Sequence, residues 1–451
     1  MQTNHGESAG HVPDVIFGWD PMIVATTILV IAYGFIISEK INRTIISLLG
    51  AGMLVFLGVL NQHLAIQGID FNTIFLLTGM MVIVAITRKS GVFEFVAIFS
   101  AKVVKANPRL LMMTLALVTA VFSALLDNVT TVLLVVPVTL LLTEQLKVNP
   151  YPFLFSQIFA SNIGGMATLI GDPPNILIGS AVGLSFMDFV YNVGPASVVI
   201  MIVMTVFFDF FWGRKMHASM RSRAKIMMYN PYEAITDYGI LWKSLFTLAL
   251  VLFFFVWGHG HGFEPGTIAM TGAALLLLMT QWRNKPEKQT HEVDDAFKEV
   301  EWETIFFFMG LFILVYGVEH TGVLAMVAEK MLDITGDNVP LAGMLILWSS
   351  AILSAIVDNI PFVATMIPLI EATEGTFGKE NLMPLWWSLS LGACLGGNGS
   401  LIGASANVMV ASMAGRAGQH ISFLKFMLLA FPLMIVTILI ASVYAWLVFF
   451  A

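Results

Sequence analysis

Apolar positions run along this chain in long blocks, and polar ones gather between the blocks or stand singly near their centres. Blocks such as Met22–Ser38, Ile45–Leu60, Leu241–Trp257 and Met427–Phe449 approach the ~20 residues a helix needs to cross the hydrocarbon of a bilayer. The alternating ten-residue segments of a membrane barrel are absent. The pattern predicts a polytopic helical membrane protein.

The loops between the blocks set the expected topology. Alternate connections hold Lys40 and Arg43, then the run from Arg88 to Arg109, then Lys147, then Arg214 to Lys243, then Arg283 to Lys298, and last Arg416 and Lys425. The intervening connections hold only Lys330 and Lys379 of the 22 basic residues. Basic loops stay in the cytoplasm, so both termini are expected outside, on the periplasmic side of a bacterial inner membrane. This count closes only if segments 110–143 and 341–372 enter the membrane and return to the same side. Each carries a polar interruption at its centre, Asp127-Asn128-Val129-Thr130-Thr131 in one and Asp358-Asn359-Ile360-Pro361 in the other. Both read as re-entrant helical hairpins.

Internal repeats support this division. Phe71-Asn72-Thr73-Ile74-Phe75 returns as Trp302-Glu303-Thr304-Ile305-Phe306, and Ser123, Asp127, Asn128 and Pro137 return as Ser354, Asp358, Asn359 and Pro368. Gly164-Gly165, Leu169-Ile170-Gly171 and Asn175 return as Gly396-Gly397, Leu401-Ile402-Gly403 and Asn407. Three segments in one order at nearly one offset define two halves. Five spans per half is an odd number, so the second half must lie upside down. The expected fold is an all-α polytopic membrane protein of two inverted-topology repeats, each about five transmembrane helices (one broken) plus one re-entrant hairpin. The expected divisions are an external tail at 1–19, a first repeat at 20–212, a cytoplasmic linker at 213–242 and a second repeat at 243–451.

Composition narrows the class further. The chain is 58% hydrophobic and 11% charged, far from the quarter of charged residues in soluble domains. The tail has no Lys or Arg and so lacks the basic start of a signal peptide. The single Cys394 rules out a disulfide framework and any site of several thiolates; as a lone thiol it reads as core filling. Gly258-His259-Gly260-His261-Gly262 reads as an external turn rather than a metal site, and Asp209 as an interfacial ion pair with Arg214 and Lys215. There is no phosphate loop, nucleic-acid patch or catalytic triad, and no cofactor is implied; an enzyme is not expected.

The chemistry concentrates at the interruptions. An Asp in mid-membrane is costly and normally marks an ion or proton path, while Asn and Thr beside it satisfy the backbone that a helix break frees. The segments 160–183 and 392–415 read as broken spanning helices. In the first, Gly164-Gly165 through Gly171-Asp172-Pro173-Pro174-Asn175 cannot run as one helix, because the prolines remove two amide donors. Pro173 and Pro174 suit the first turn of the following half-helix, with Asp172 at its cap. The second keeps Gly403 and Asn407 but has Ala404, Ser405 and Ala406 in place of the Asp and both prolines. With every basic residue assigned to a loop, a highly charged anionic substrate is disfavoured. A small neutral polar molecule or a small cation, exchanged against protons, fits better.

Leu126-Asp127-Asn128-Val129-Thr130-Thr131 followed by Ile170-Gly171-Asp172-Pro173-Pro174-Asn175 resembles the ion transporter superfamily, in particular its arsenical-efflux permeases and P-protein group. The resemblance implies export of arsenite or antimonite, as uncharged trihydroxides, in exchange for protons by alternating access. Asn128, Thr130, Thr131, Asn175, Asn359, Asn398, Ser400 and Asn407 would bind the substrate. Asp127, Asp172 and Asp358 would carry the coupling proton, and Gly171, Pro173, Pro174 and Gly403 would form the breaks. The lipid bilayer is the implied surrounding, a homodimer is suggested by superfamily relatives, and an accessory arsenical ATPase is allowed as a partner. The alternative is a sodium–proton antiporter using the same carboxylates; a passive channel is a more distant one.

Overall fold

The structure, a computed structural model, describes residues 15–38 and 40–451; most of the expected external tail lies outside the described residues. Among the described residues there is no strand, and nine helices are long and apolar enough to cross a membrane. The first half is built on Pro21–Ser38, Arg43–Phe56, Phe71–Arg88, a hairpin, a broken helix and Gly194–Phe211. The second is built on Tyr238–Trp257, Pro265–Gln281, Trp302–His320, a hairpin, a broken helix and Phe423–Ala445. The predicted linker is not loop throughout: a membrane helix already begins at Tyr238, capped by Asp237, so the linker ends five residues earlier than the basic residues suggested. The polar stretch 283–301 also folds, as the helix Pro286–Lys298.

The two hairpins are Pro108–Leu125 with Asn128–Leu146, and Val339–Ile356 with Asn359–Glu371. The two broken helices are Tyr151–Met166 with Pro173–Val182, and Met383–Gly396 with Ser405–Arg416. Both start earlier than the sequence pattern indicated, because Tyr151-Pro152 and Met383-Pro384 supply the proline-bearing first turns that favour a helix start. The repeat is therefore not confined to motifs. It holds helix by helix, and the two inverted halves form one pseudo-symmetric bundle.

Glycine lets the halves interlock. Gly79 sits where an added Cβ would lie 2.6 Å from the Ala269 carbonyl carbon, and its repeat partner Gly310 would meet the Ser47 carbonyl carbon at 2.7 Å. Helix Phe71–Arg88 thus lies backbone to backbone on Pro265–Gln281 of the other half, and Trp302–His320 lies in the same way on Arg43–Phe56. Lipid offers no hydrophobic drive between helices, so close backbone approach through small residues is what holds such pairs. The hairpins use the same device. Gly164 abuts the Ala120 backbone and Gly396 the Ala351 backbone, locking each hairpin's first arm to the first arm of the broken helix behind it. Ser123 Oγ donates to Ser161 O at 2.6 Å, and Ser354 Oγ to Ala393 O at 2.8 Å.

At the basic face, Asp209 does not pair with Lys215 as expected. It accepts from Arg109 Nε at 2.5 Å and Nη2 at 2.7 Å, with Arg214 at 3.7 Å. The planar guanidinium matches both carboxylate oxygens at once, which ties the base of the first hairpin to the last helix of its half. The Gly-His segment is a short 3-10 turn in which His261 Nδ1 lies 3.0 Å from Trp257 O.

Candidate functional site

The four interruptions meet at the centre of the bundle. Asp172 occupies the cap position of Pro173–Val182, yet its side chain makes no capping bond. The prolines explain this. A cap carboxylate accepts from the second or third backbone N–H of its helix; here the second is missing at Pro174 and the third, of Asn175, is already bonded to Asp172 O at 2.9 Å. The carboxylate is released to face the hairpin tips, where Asn128 Nδ2 donates to Oδ1 at 3.0 Å and Asn359 Nδ2 at 3.4 Å. Both hairpins thus address one carboxylate, which is fully buried. Its Oδ2 has no hydrogen-bond partner among the described residues.

The other two aspartates are already occupied. Asp127 caps the second arm of its hairpin, accepting from Thr130 N at 2.7 Å and from the Thr130 hydroxyl. Asp358 accepts from Ile360 N at 3.1 Å and from Ser405 Oγ at 3.0 Å, and forms an ion pair with Arg43 Nη1 at 2.5 Å. Arg43 corrects the sequence reading. It is the first residue of its helix rather than a loop cation, it is half-buried over the Phe307 ring at 4.8 Å, and it also donates to Ser405 at 2.9 Å. The long side chain reaches from the helix end to the second hairpin tip, which position in a loop count could not reveal. The premise that no cation approaches the site is therefore overturned.

The predicted binding residues divide by what their polar atoms already do. Asn175 Nδ2 donates to Met166 O and Thr168 O, both at 2.9 Å, and its repeat partner Asn407 to Gly397 O at 2.7 Å and Ser400 O at 2.8 Å. These amides staple the carbonyls that each break frees. Gly171 and Gly403 complete the breaks, since a Cβ at either would strike Ser123 O or Ser354 O. The Ser400 hydroxyl accepts from Gly403 N at 3.1 Å. By contrast, Asn128 Oδ1, Thr131 Oγ1 and Asn398 Nδ2 are buried without a partner among the described residues. A buried polar group left unpaired costs roughly 1–3 kcal/mol. Asn128 and Asn398, joined through Asn162, gather with Asp172 Oδ2 in a cluster of unused donors and acceptors where both hairpins and both broken helices converge; Thr131 follows Asn128 by one turn of the same helix.

Asn162 organises this cluster, although it stands outside the repeated motifs. Its Nδ2 donates to Asn398 Oδ1 at 3.1 Å and Asn407 Oδ1 at 3.0 Å, while its Oδ1 accepts from Asn128 at 3.3 Å. An amide two residues before Gly164-Gly165, on a helix that also carries Gln157, is the available signal. The repeat offset maps it onto Cys394, whose thiol donates to Asn175 Oδ1 at 3.5 Å beside Ser390 Oγ at 2.6 Å. Cys394 is thus more than filling: it makes the second half's version of the Asn162 contact.

Two vestibules flank the cluster. One, a cavity of about 600 Å³, opens on the basic-loop face and reaches Val129 and Asp358 at the hairpin tips; Arg43, Glu301, Ser405, Ser412 and Arg416 are on its wall. The other, about 240 Å³, lies among Asp70, Ser180, Glu319 and Glu371 and stops short of the tips. Repeat partners line both: Asp70 answers to Glu301 and Ser180 to Ser412. The larger vestibule thus reaches the hairpin tips from the basic-loop face, while the central cluster itself stays buried.

The profile of the CitMHS family, described as citrate transporter, matches residues 33–392. This chain belongs to that family. An uncharacterized transporter of Mycobacterium tuberculosis is 42% identical over 433 residues, covering 95% of this chain and 99% of the relative. The P protein of Homo sapiens is 31% identical over 503 residues, covering 93% of this chain and 59% of that protein, so the resemblance to the P-protein group is matched. The chain spans about three-fifths of the P protein. In fold, the chain is similar to the YdaH transporter of Alcanivorax borkumensis, with a TM-score of 0.59 at 11% identity over 95% of this chain and 98% of that one. It is equally similar to MtrF of Neisseria gonorrhoeae, with a TM-score of 0.59 at 11% identity over 97% and 96%. This citrate transporter family member is a multi-pass membrane transporter. Neither the mycobacterial relative nor the P protein is described as an arsenical permease.

Proposed function

We propose that the chain is a secondary active transporter that exchanges a small hydroxylated solute for protons by alternating access, with arsenite or antimonite as the solute exported. The observation that carries this reading is Asp172, a buried carboxylate addressed by both hairpin tips and left with one unpartnered oxygen. A group that must take a solute hydroxyl or a proton in turn needs such a free oxygen, held where both halves of the bundle converge. Asn128 and Asn398 supply unused amide groups around it, and Thr131 an unused hydroxyl one turn along from Asn128, the chemistry an uncharged trihydroxide requires. Asn175, Asn407, Gly171 and Gly403 shape the breaks, and Pro173 and Pro174 keep the carboxylate out of a cap.

A second reading has its own observation. Arg416 and the Asp358-paired Arg43 stand on the wall of the larger vestibule, and these guanidiniums are the groups there that suit a carboxylate solute such as the family's description names. Reconstituted vesicles with an imposed pH gradient separate the readings when antimonite, citrate and Na⁺ are offered in turn. Gradient-driven antimonite accumulation is expected. Citrate accumulation without antimonite transport supports the second reading, and a Na⁺-dependent pH change without either solute supports a sodium–proton antiporter. Antimonite flux indifferent to the gradient leaves a passive pathway.

A further inference from the structure

The repeat places an acid at the start of the third spanning helix of each half, Asp70 before Phe71–Arg88 and Glu301 before Trp302–His320. The two are used differently. Asp70 is consumed as a cap: it accepts from Asn72 N at 3.0 Å, Thr73 N at 3.2 Å and Thr73 Oγ1 at 2.5 Å. Glu301 makes no capping bond to its helix. Among the described residues it accepts only the hydroxyl of Thr304, the repeat partner of Thr73, at 3.1 Å. One extra methylene carries its carboxylate past the first-turn amides and onto the wall of the larger vestibule, near the first hairpin tip.

We infer that Glu301 is the proton-exchange residue of that vestibule, passing protons between water on the basic-loop face and the Asp127 carboxylate. This rests on the proton-coupled reading above. In the inward step the O–H bond of Glu301 breaks and one forms on Asp127, and the negative charge moves from Asp127 to Glu301; the reverse step restores both. Asp127 in turn sits on the same hairpin tip as Asn128, which bonds Asp172.

The surroundings suit the role. Glu301 precedes the spanning helix, and burial, then the Asp127 charge, raise its carboxyl to about 7. Glu303 on its own helix raises it further, while Thr304 and the Arg43 guanidinium oppose the rise. Asp358 on the second hairpin and Arg416 on the second broken helix are the remaining charges on the vestibule wall. An acid near neutrality gives and takes protons with little bias at cellular pH.

Infrared titration of the full chain in lipid, together with antimonite and proton flux in vesicles between pH 6 and 8, tests the assignment. The wild type should show carboxyl absorbance with a midpoint near pH 7, and Glu301→Gln should lower its amplitude by the contribution of one carboxyl group. That variant should keep the wild-type melting temperature while its proton flux falls at least fivefold and its pH profile flattens. Glu301→Asp, short enough to cap the helix as Asp70 does, should titrate at a lower midpoint. A wild type that moves no protons refutes the coupling reading along with the relay. A proton-coupled wild type whose Glu301→Gln variant keeps the full band amplitude and the pH profile refutes the relay alone.

Discussion

Replacing Asp172 with Asn separates the structural from the coupling role of this carboxylate. The asparagine Oδ1 can still accept from Asn128 at 3.0 Å and Asn359 at 3.4 Å, and its amide occupies the position of the unpartnered Oδ2. No bond is lost, so the change in stability should stay within about 1 kcal/mol, the net worth of one hydrogen bond. Coupling is another matter. One pH unit corresponds to about 1.4 kcal/mol per proton, so a transporter moving one proton per solute accumulates the solute about tenfold per imposed pH unit. The amide that Asp172→Asn introduces holds no titratable proton, and the ratio should fall to unity while equilibration continues. The assay is the steady-state solute ratio in vesicles at two gradient strengths, with melting temperature recorded in parallel. A variant that still accumulates solute in proportion to the gradient refutes the role of Asp172. A variant that merely unfolds contradicts the bond accounting.

The Arg43–Asp358 pair should behave as a partly buried ion pair. Arg43→Ala and Asp358→Asn should each destabilise by about 1–3 kcal/mol, less than a fully buried pair because water reaches Arg43, and the double variant should cost less than their sum in a thermal melt. Equal additivity would mean that the contact contributes nothing. Gly79→Leu and Gly310→Leu each drive a side chain into backbone 2.6–2.7 Å away, and each should cost at least the ~1–3 kcal/mol of core overpacking; similar losses in folded yield are expected at the two repeat positions, and tolerance of either would refute the backbone-to-backbone packing. Asn175→Ala and Asn407→Ala should each free two buried carbonyls, roughly 1–3 kcal/mol apiece, and lower the melting temperature even without solute; an unchanged melt would return these residues to solute binding alone. Lys89→Ala, which removes an exposed pair with Glu292 at 2.9 Å, should change stability by less than about 1 kcal/mol.

The sequence by itself determined the architecture, because the forces that set it are local. Apolar block length fixes spans, the distribution of Lys and Arg fixes the expected sidedness, and Asp-Asn or Gly-Gly in an apolar run cannot continue as lipid-facing helix. The repeat offset then carried each hairpin and break from one half to the other. The roles within the site were decided only by tertiary structure, because they depend on which polar atoms remain unspent. Asp127, Asp172 and Asp358 look alike as intramembrane acids, yet one caps a helix, one pairs with Arg43 and one stays open. Arg43 counts as a loop cation until its long side chain is placed beside the second hairpin tip. Asn162 and Cys394 become equivalent only when the halves are superposed, and Asp70 and Glu301 diverge through one methylene. Long-range side-chain geometry, which no spacing along the chain encodes, assigned each of them.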